Sequence, residues 1–117
     1  MMYIDIKARA KVNLALDVLG KRPDGYHNLR MVMQSINLYD RMRVGLVDRG
    51  IQLRCNDKSL PLDENNLAYR AAMLLKDKFR ISQGADIFIQ KNIPVAAGLA
   101  GGSSDGAAVL KALNELW

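Results

Sequence analysis

The feature that most constrains what this chain can fold into is the segment Pro94-Val95-Ala96-Ala97-Gly98-Leu99-Ala100-Gly101-Gly102-Ser103-Ser104-Asp105-Gly106-Ala107-Ala108, set between a stretch with strand periodicity and one with helical periodicity. Small residues dominate it. Glycines let the backbone approach a ligand closely and adopt positive φ, so that successive N–H groups can converge on one anion. Ser103 and Ser104 are good N-cap residues, and the helix after them offers free N–H groups and the positive end of its dipole to a phosphate. Either hydroxyl can also ligate a phosphate-bound Mg²⁺, as a P-loop hydroxyl does. Two commoner glycine motifs are ruled out. No lysine precedes the serines, so there is no G-x-x-x-x-G-K-[ST], and Gly98, Gly101, Gly102 and Gly106 have the wrong spacing for G-x-G-x-x-G.

The rest of the chain frames that segment. Tyr3, Ile4, Ile6, Ala8 and Ala10, then Val12, Leu14, Leu16 and Val18, recur near period 2 and predict two consecutive strands or one long bent strand, with Lys11 and Asn13 on one face. Gly20 to Gly25 reads as a surface loop, with Tyr26 and His27 at its exit. After an apolar segment from Met31 to Asp40, Met42–Val47 and Ile51–Cys55 flank Asp48-Arg49-Gly50 and predict a β-hairpin. Leu67, Ala71, Leu74, Leu75 and Phe79 predict a helix over about 66 to 80 with that face buried, Asn66 being a natural cap. Asp86 to Lys91 reads as another strand, leaving Lys91 at an exposed end, and Val109, Leu113, Leu116 and Trp117 form a helical stripe. Strands, helix, strand, glycine segment and helix make an α+β domain spanning 1–117, with no internal boundary.

Composition narrows the setting. A single cysteine, Cys55, excludes a disulfide framework and a cysteine-rich zinc site. No apolar run near the N-terminus is long enough for a signal peptide or membrane span, so a cytoplasmic protein with no membrane partner is expected. The net charge of +5 favours anionic partners, phosphorylated metabolites among them. Trp117, a large aromatic at the chain end, is expected to pack against something further along, which suggests truncation.

With two further segments, Ala10-Lys11-Val12-Asn13-Leu14 and Arg22-Pro23-Asp24-Gly25-Tyr26-His27, the glycine segment resembles the GHMP kinases. The Gly101-Gly102-Ser103-Ser104 form is similar to the branch that acts on a cytidyl diphosphate sugar alcohol. The resemblance implies the ribosomal-protein-S5 domain 2-like fold. It also implies transfer of the ATP γ-phosphate, with Mg²⁺, to the 2-hydroxyl of 4-diphosphocytidyl-2-C-methyl-D-erythritol in non-mevalonate isoprenoid synthesis. Carried over, Lys11 is the catalytic lysine and Asn13, Tyr26 and His27 are substrate contacts. Pro94, Val95, Ala96, Ala97, Gly98, Leu99, Ala100, Gly101, Gly102, Ser103 and Ser104, with Asn66, Leu67 and Lys91, are ATP contacts. The family's general-base aspartate sits in a later G-A-D-x-P segment that these 117 residues do not contain, and its C-terminal glycine motif is missing too. The expectation is an N-terminal, ATP-binding part that lacks its C-terminal half and is inactive alone.

Two rivals remain at this level. One is another GHMP kinase acting on mevalonate, homoserine or a sugar, against which Tyr26-His27 argues, since those substrates carry no pyrimidine. The other is an RNA-binding module of the same fold, disfavoured because the seven aromatics are mostly isolated along the sequence, so no nucleic-acid partner is expected.

Overall fold

The structure, a computed structural model, describes residues 3–21, 27–94 and 101–117, apart from the side chains of 12–36. Its elements are β1 (Tyr3–Lys21), β2 (His27–Val47), β3 (Ile51–Cys55), α1 (Leu67–Lys78), β4 (Gly84–Gln90) and α2 (Gly101–Leu116). They form a four-stranded sheet in the order β1-β2-β4-β3, with both helices on one face. The α+β expectation holds. The first apolar run is one strand, and register shifts between Arg9 and Lys11, Asn13 and Ala15, and Val18 and Gly20 supply its bends. Gly20 and Lys21, assigned to a loop by their composition, still belong to β1; residues 22–26 lie outside the described residues.

The expected hairpin does not form. Strands β2 and β3 follow one another through Asp48-Arg49-Gly50 but do not pair, because β4 lies between them, antiparallel to β2 and parallel to β3. The reason is visible in β4 itself: Gly84 to Ile87 and Ile89 are buried, the pattern of a central strand with a neighbour on each edge. The turn also receives β4, since the Gly50 carbonyl accepts from the Ala85 N–H at 2.9 Å. Gly50 takes φ +72°, and a Cβ on Gly84 would collide with the backbone of Arg49 and Gly50. The missing Cβ of Gly84 is therefore what lets the third strand in the sheet pass under the turn.

Alternation then sorts the chain onto two faces. Ala8, Ala10, Met42, Val44, Leu53, Ala85, Ile87 and Ile89 are buried, and most of them form the core with Ala68, Ala72, Ala108, Val109, Ala112 and Leu113 from the helices. The opposite face is polar and cationic. There Tyr39 has Lys7, Arg9 and Arg41 at 4.8, 5.7 and 5.8 Å from its ring centre, and Arg43 grips Asp5 through two hydrogen bonds of 2.8 and 3.1 Å.

Helix α1 differs from the expected packing. Asn66 caps it as foreseen, its side-chain oxygen accepting from the Ala68 N–H at 3.0 Å. The buried residues are Ala68 and Ala72, however, while Leu67, Leu74 and Phe79 are exposed. Small residues win because α2 crosses close by: a Cβ on Gly106 would stand 3.3 Å from the Leu67 carbonyl oxygen. Trp117 is half-buried and packs against the chain's own core. Gly84→Ala should lower stability by about 1–3 kcal/mol through overpacking against the turn. Urea unfolding measures this, and a midpoint equal to the parent's would contradict the close approach.

Candidate functional site

The glycine segment leaves the sheet at the end of β4 and re-enters at the start of α2, and both ends are anchored by one set of polar groups. Lys91, the first residue after β4, has its N–H held by the Asn56 side chain at 2.7 Å. Its ammonium donates to Asp40 Oδ2 at 2.7 Å and to Asp105 Oδ2 at 3.0 Å. Asp40 Oδ1 accepts from the N–H groups of Asn92 at 2.7 Å and Ile93 at 2.9 Å. The Asn92 amide donates in turn to the Tyr39 carbonyl at 3.1 Å. Asp40 comes from β2, Lys91 follows β4 and Asp105 belongs to α2, so three elements meet at one ammonium.

Lys91 is thus not the exposed strand end that alternation suggested: the exposures of its side chain and those of Asp40 and Asp105 are 8%, 0% and 5%. Burying a charge is costly unless it is paired and hydrogen-bonded. Burial disfavours a charged Lys91, yet the bonds to Asp40 and Asp105 outweigh it and raise its pKa. Burial also works against ionised Asp40, and the hydrogen bonds from Asp105, Ile93, Lys91 and Asn92 outweigh it and hold the carboxyl below its usual range. Asp105 goes the other way. Burial first, and the neighbouring Asp40 carboxyl second, push it up to about 7 against the pull of Lys91. Asp105 Oδ1 is buried with no hydrogen-bond partner, which suits a neutral carboxyl better than an ionised one. With one proton on the carboxyl pair, one ammonium and one carboxylate balance.

Around this cluster stand several residues singled out from the sequence. Leu67, at the start of α1, lies against the first turns of α2, within 3.6 Å of where a Cβ on Gly102 would sit. Asn66 spends both ends of its side chain locally, on the Ala68 N–H and on the Pro61 carbonyl, as a cap does. Ser103 and Ser104 do not cap α2, which begins at Gly101, because the glycine pair itself continues into helix. They occupy its first turn, which carries no acidic residue. Ser103 is exposed, and the Ser104 hydroxyl donates to the Arg9 carbonyl at 2.7 Å, tying α2 to β1. Lys11 is exposed two residues further along, just past a register shift and opposite Ser35. Asn13 is placed by its register, opposite Met33. His27 opens β2, and its side chain, like Tyr26 and residues 95–100, lies outside the described residues.

Asp40 and Asp105 were missed by sequence reasoning. Asp40 read as the end of an apolar stretch and Asp105 as a polar residue beside the serines. The available signal was an acid in each of two segments that otherwise bury small or apolar residues. Among the described residues no cluster of three His, Cys, Asp or Glu could hold a metal ion, and no helix is long and apolar enough to cross a membrane.

Known proteins place this geometry. Residues 66–117 match the family model for the GHMP kinases N terminal domain. The chain is 55% identical over 114 residues to a Clostridium acetobutylicum 4-diphosphocytidyl-2-C-methyl-D-erythritol kinase, covering 97% of this chain and 41% of that protein. It is 55% identical over 118 residues to the enzyme of the same name from Clostridioides difficile, covering 40% of it. A crystal structure of 4-(cytidine 5'-diphospho)-2C-methyl-D-erythritol kinase superposes with a TM-score of 0.86 at 42% identity, over 97% of this chain and 41% of that one. A homoserine kinase from Cytophaga hutchinsonii, at 22% identity and a TM-score of 0.74, shares the fold. The chain therefore spans about two fifths of the length of the relatives it matches.

The raised Asp105 pKa has a consequence for stability. Between its ordinary value of 3.8 and about 7 the folded chain keeps a proton that the unfolded chain has lost. Stability contributed by this group is present at low pH and declines as pH rises through that window. Asp40 contributes oppositely, its share being lost only as pH falls below the ordinary carboxylate range. Asp105→Asn should flatten the fall in Tm between about pH 5 and about pH 8 relative to the parent chain. An unchanged slope in the variant would contradict a proton held at Asp105.

Proposed function

We propose, on the premise that this chain is by sequence and fold a GHMP kinase N-terminal domain, that it is the ATP-binding portion of a kinase acting on the 2-hydroxyl of 4-diphosphocytidyl-2-C-methyl-D-erythritol, in the cytoplasm. The observation that carries this reading is the meeting of Leu67, the exit of β4 and the glycine-rich first turn of α2 at one end of the helix pair. The branch, and with it the cytidyl substrate, rests on the 55% identity to relatives of that name.

In this reading the nucleotide phosphates lie at the N-terminus of α2. Free N–H groups and the helix dipole supply the positive field there, and Gly101 and Gly102 present no side chain to obstruct approach. Leu67 gives an apolar wall beside that turn. Ser103, exposed in the same turn, is suited to ligate a phosphate-bound Mg²⁺, while the Ser104 proton is committed to the Arg9 carbonyl. The metal, when bound with the nucleotide, neutralises phosphate charge. Lys11 would stabilise negative charge developing at the acceptor hydroxyl and the transferred group. Asn13, Tyr26 and His27 would hold the substrate, the ring stacking on cytosine and the imidazole bonding its edge. Catalysis of this kind is mostly positioning and charge stabilisation, and the base that takes the hydroxyl proton is assigned to the part of the relatives this chain does not span.

Two outcomes follow. A missing base alone costs about a hundredfold to ten-thousandfold, so residues 1–117 should show no turnover of the cytidyl substrate above background. Fused to the C-terminal remainder of the Clostridium acetobutylicum relative, the chain should transfer phosphate, and Lys11→Ala should abolish it. Robust turnover by residues 1–117 alone would sink the division of labour. In the same fusion, Gly102→Val should raise KM for ATP far more than KM for the cytidyl substrate, and equal effects on both would count against phosphate binding at α2.

A further inference from the structure

Lys91 is expected to contact ATP by family resemblance, but its surroundings give its ammonium a different task. The residues from 91 to 93 are held from several directions: Asn56 takes the Lys91 N–H, Asp40 takes those of Asn92 and Ile93, and the Asn92 amide reaches back to Tyr39. They form a fixed platform at the end of β4. From that platform the Lys91 side chain turns inward, 8% exposed, and its ammonium meets a carboxylate fourteen residues on, in the second turn of α2. Chain leaving the sheet at Pro94 and the start of α2 are therefore joined through Lys91 and Asp105. A second tie runs from the Ser104 hydroxyl to the Arg9 carbonyl, on the β1 side.

We propose that Lys91 is a positioning residue, a clasp between Asp40 on the sheet and Asp105 on α2 that fixes where α2 begins and so sets the phosphate-facing helix end, without itself touching the nucleotide. The consequence for ATP rests on the function proposed above; the clasp rests on the bonds alone. A buried ammonium bonded to the Asp40 carboxylate and the Asp105 carboxyl holds these elements together because separating them would leave a charge and polar groups without partners away from water. Electrostatics separates this task from direct contact. A lysine that bound phosphate would be held back by its bond to Asp105, and removing that carboxyl would release it and tighten binding. A clasp is broken from either side, and both breaks should act alike.

The test uses residues 1–117 as parent, Asp105→Leu, Lys91→Met and the double variant, with two readouts. Amide hydrogen exchange should quicken over Gly106–Val109 in each variant and stay unchanged over Leu113–Leu116 and at Ile87. Asp105→Leu removes the acceptor while keeping a side chain of similar size, and guards against loss of folding in Lys91→Met. Affinity for MgATP should fall roughly 2- to 30-fold in each single variant, the range for residues acting through a packed network. The double variant should fall no further, since one clasp is lost only once. Tighter or unchanged MgATP binding in Asp105→Leu, with weaker binding in Lys91→Met, would overturn the proposal in favour of direct contact. Uniform exchange along α2 would overturn it as well. If exchange opens locally but the parent itself binds no MgATP, the clasp stands and the nucleotide reading falls.

Discussion

Every part of the site depends on where one ammonium is buried. Lys91 sits at a junction of β2, β4 and α2, and it can be charged there only because Asp40 and Asp105 reach it from either side. A lone lysine in that position would be strongly disfavoured, and so would either carboxylate without it. The sheet and the second helix are thereby bound to a particular mutual placement. The apolar core alone, built of alanine, valine, isoleucine and leucine, would specify that placement less sharply, since small apolar residues can pack in several registers. Polar partners with directional bonds remove the alternatives.

The two faces of the sheet divide the chemistry. The helix face buries the core and, at its edge, the charged junction beside the glycine segment. The open face carries Lys7, Arg9 and Arg41 around Tyr39, together with Arg54 paired to the largely buried Asp86 and Arg43 in an exposed pair with Asp5. Such exposed pairs contribute little to stability. The basic balance of the composition thus resides partly on a surface away from the helices, while the lysine that matters to the architecture is one whose charge is already matched. Net charge, which first suggested anionic partners in general, says little about the site.

Much of this was legible in the sequence, and the failures share a cause. Strand and helix periodicities located β1, α1, β4 and α2, the cap at Asn66 was read correctly, and the glycine segment with Ala10–Leu14 identified the family. These are local signals. The pairing of β4 between β2 and β3 was not legible, because adjacency along the chain made a hairpin through Gly50 the simplest reading. Only the continuous burial of β4 and the missing Cβ of Gly84 explain the inserted strand. The buried face of helix α1 was read in part: Ala71 and Leu75 pack half-buried against the core, but Leu67, Leu74 and Phe79 are exposed while Ala68 and Ala72 are buried, because close helix crossing at Gly106 favours the small residues. The junction of Asp40, Lys91 and Asp105 was invisible because it joins residues 51 and 14 positions apart. A charged residue next to a glycine-rich segment suggests a ligand contact when its structural partners are out of view.

In the function proposed, an anionic nucleotide meets this chain at the start of α2, beside Leu67, and not on the basic open face of the sheet. Titrating the ¹⁵N-labelled chain with MgATP and following backbone amide shifts separates the two surfaces directly. The account predicts the largest shifts at Gly101 to Ser104 and at Leu67 and Ala68, with Lys7, Tyr39, Arg41 and Phe88 nearly unmoved. Shifts centred on Lys7, Tyr39 and Arg41, with Gly101 to Ser104 unaffected, would contradict it and make the open face the anion-binding surface.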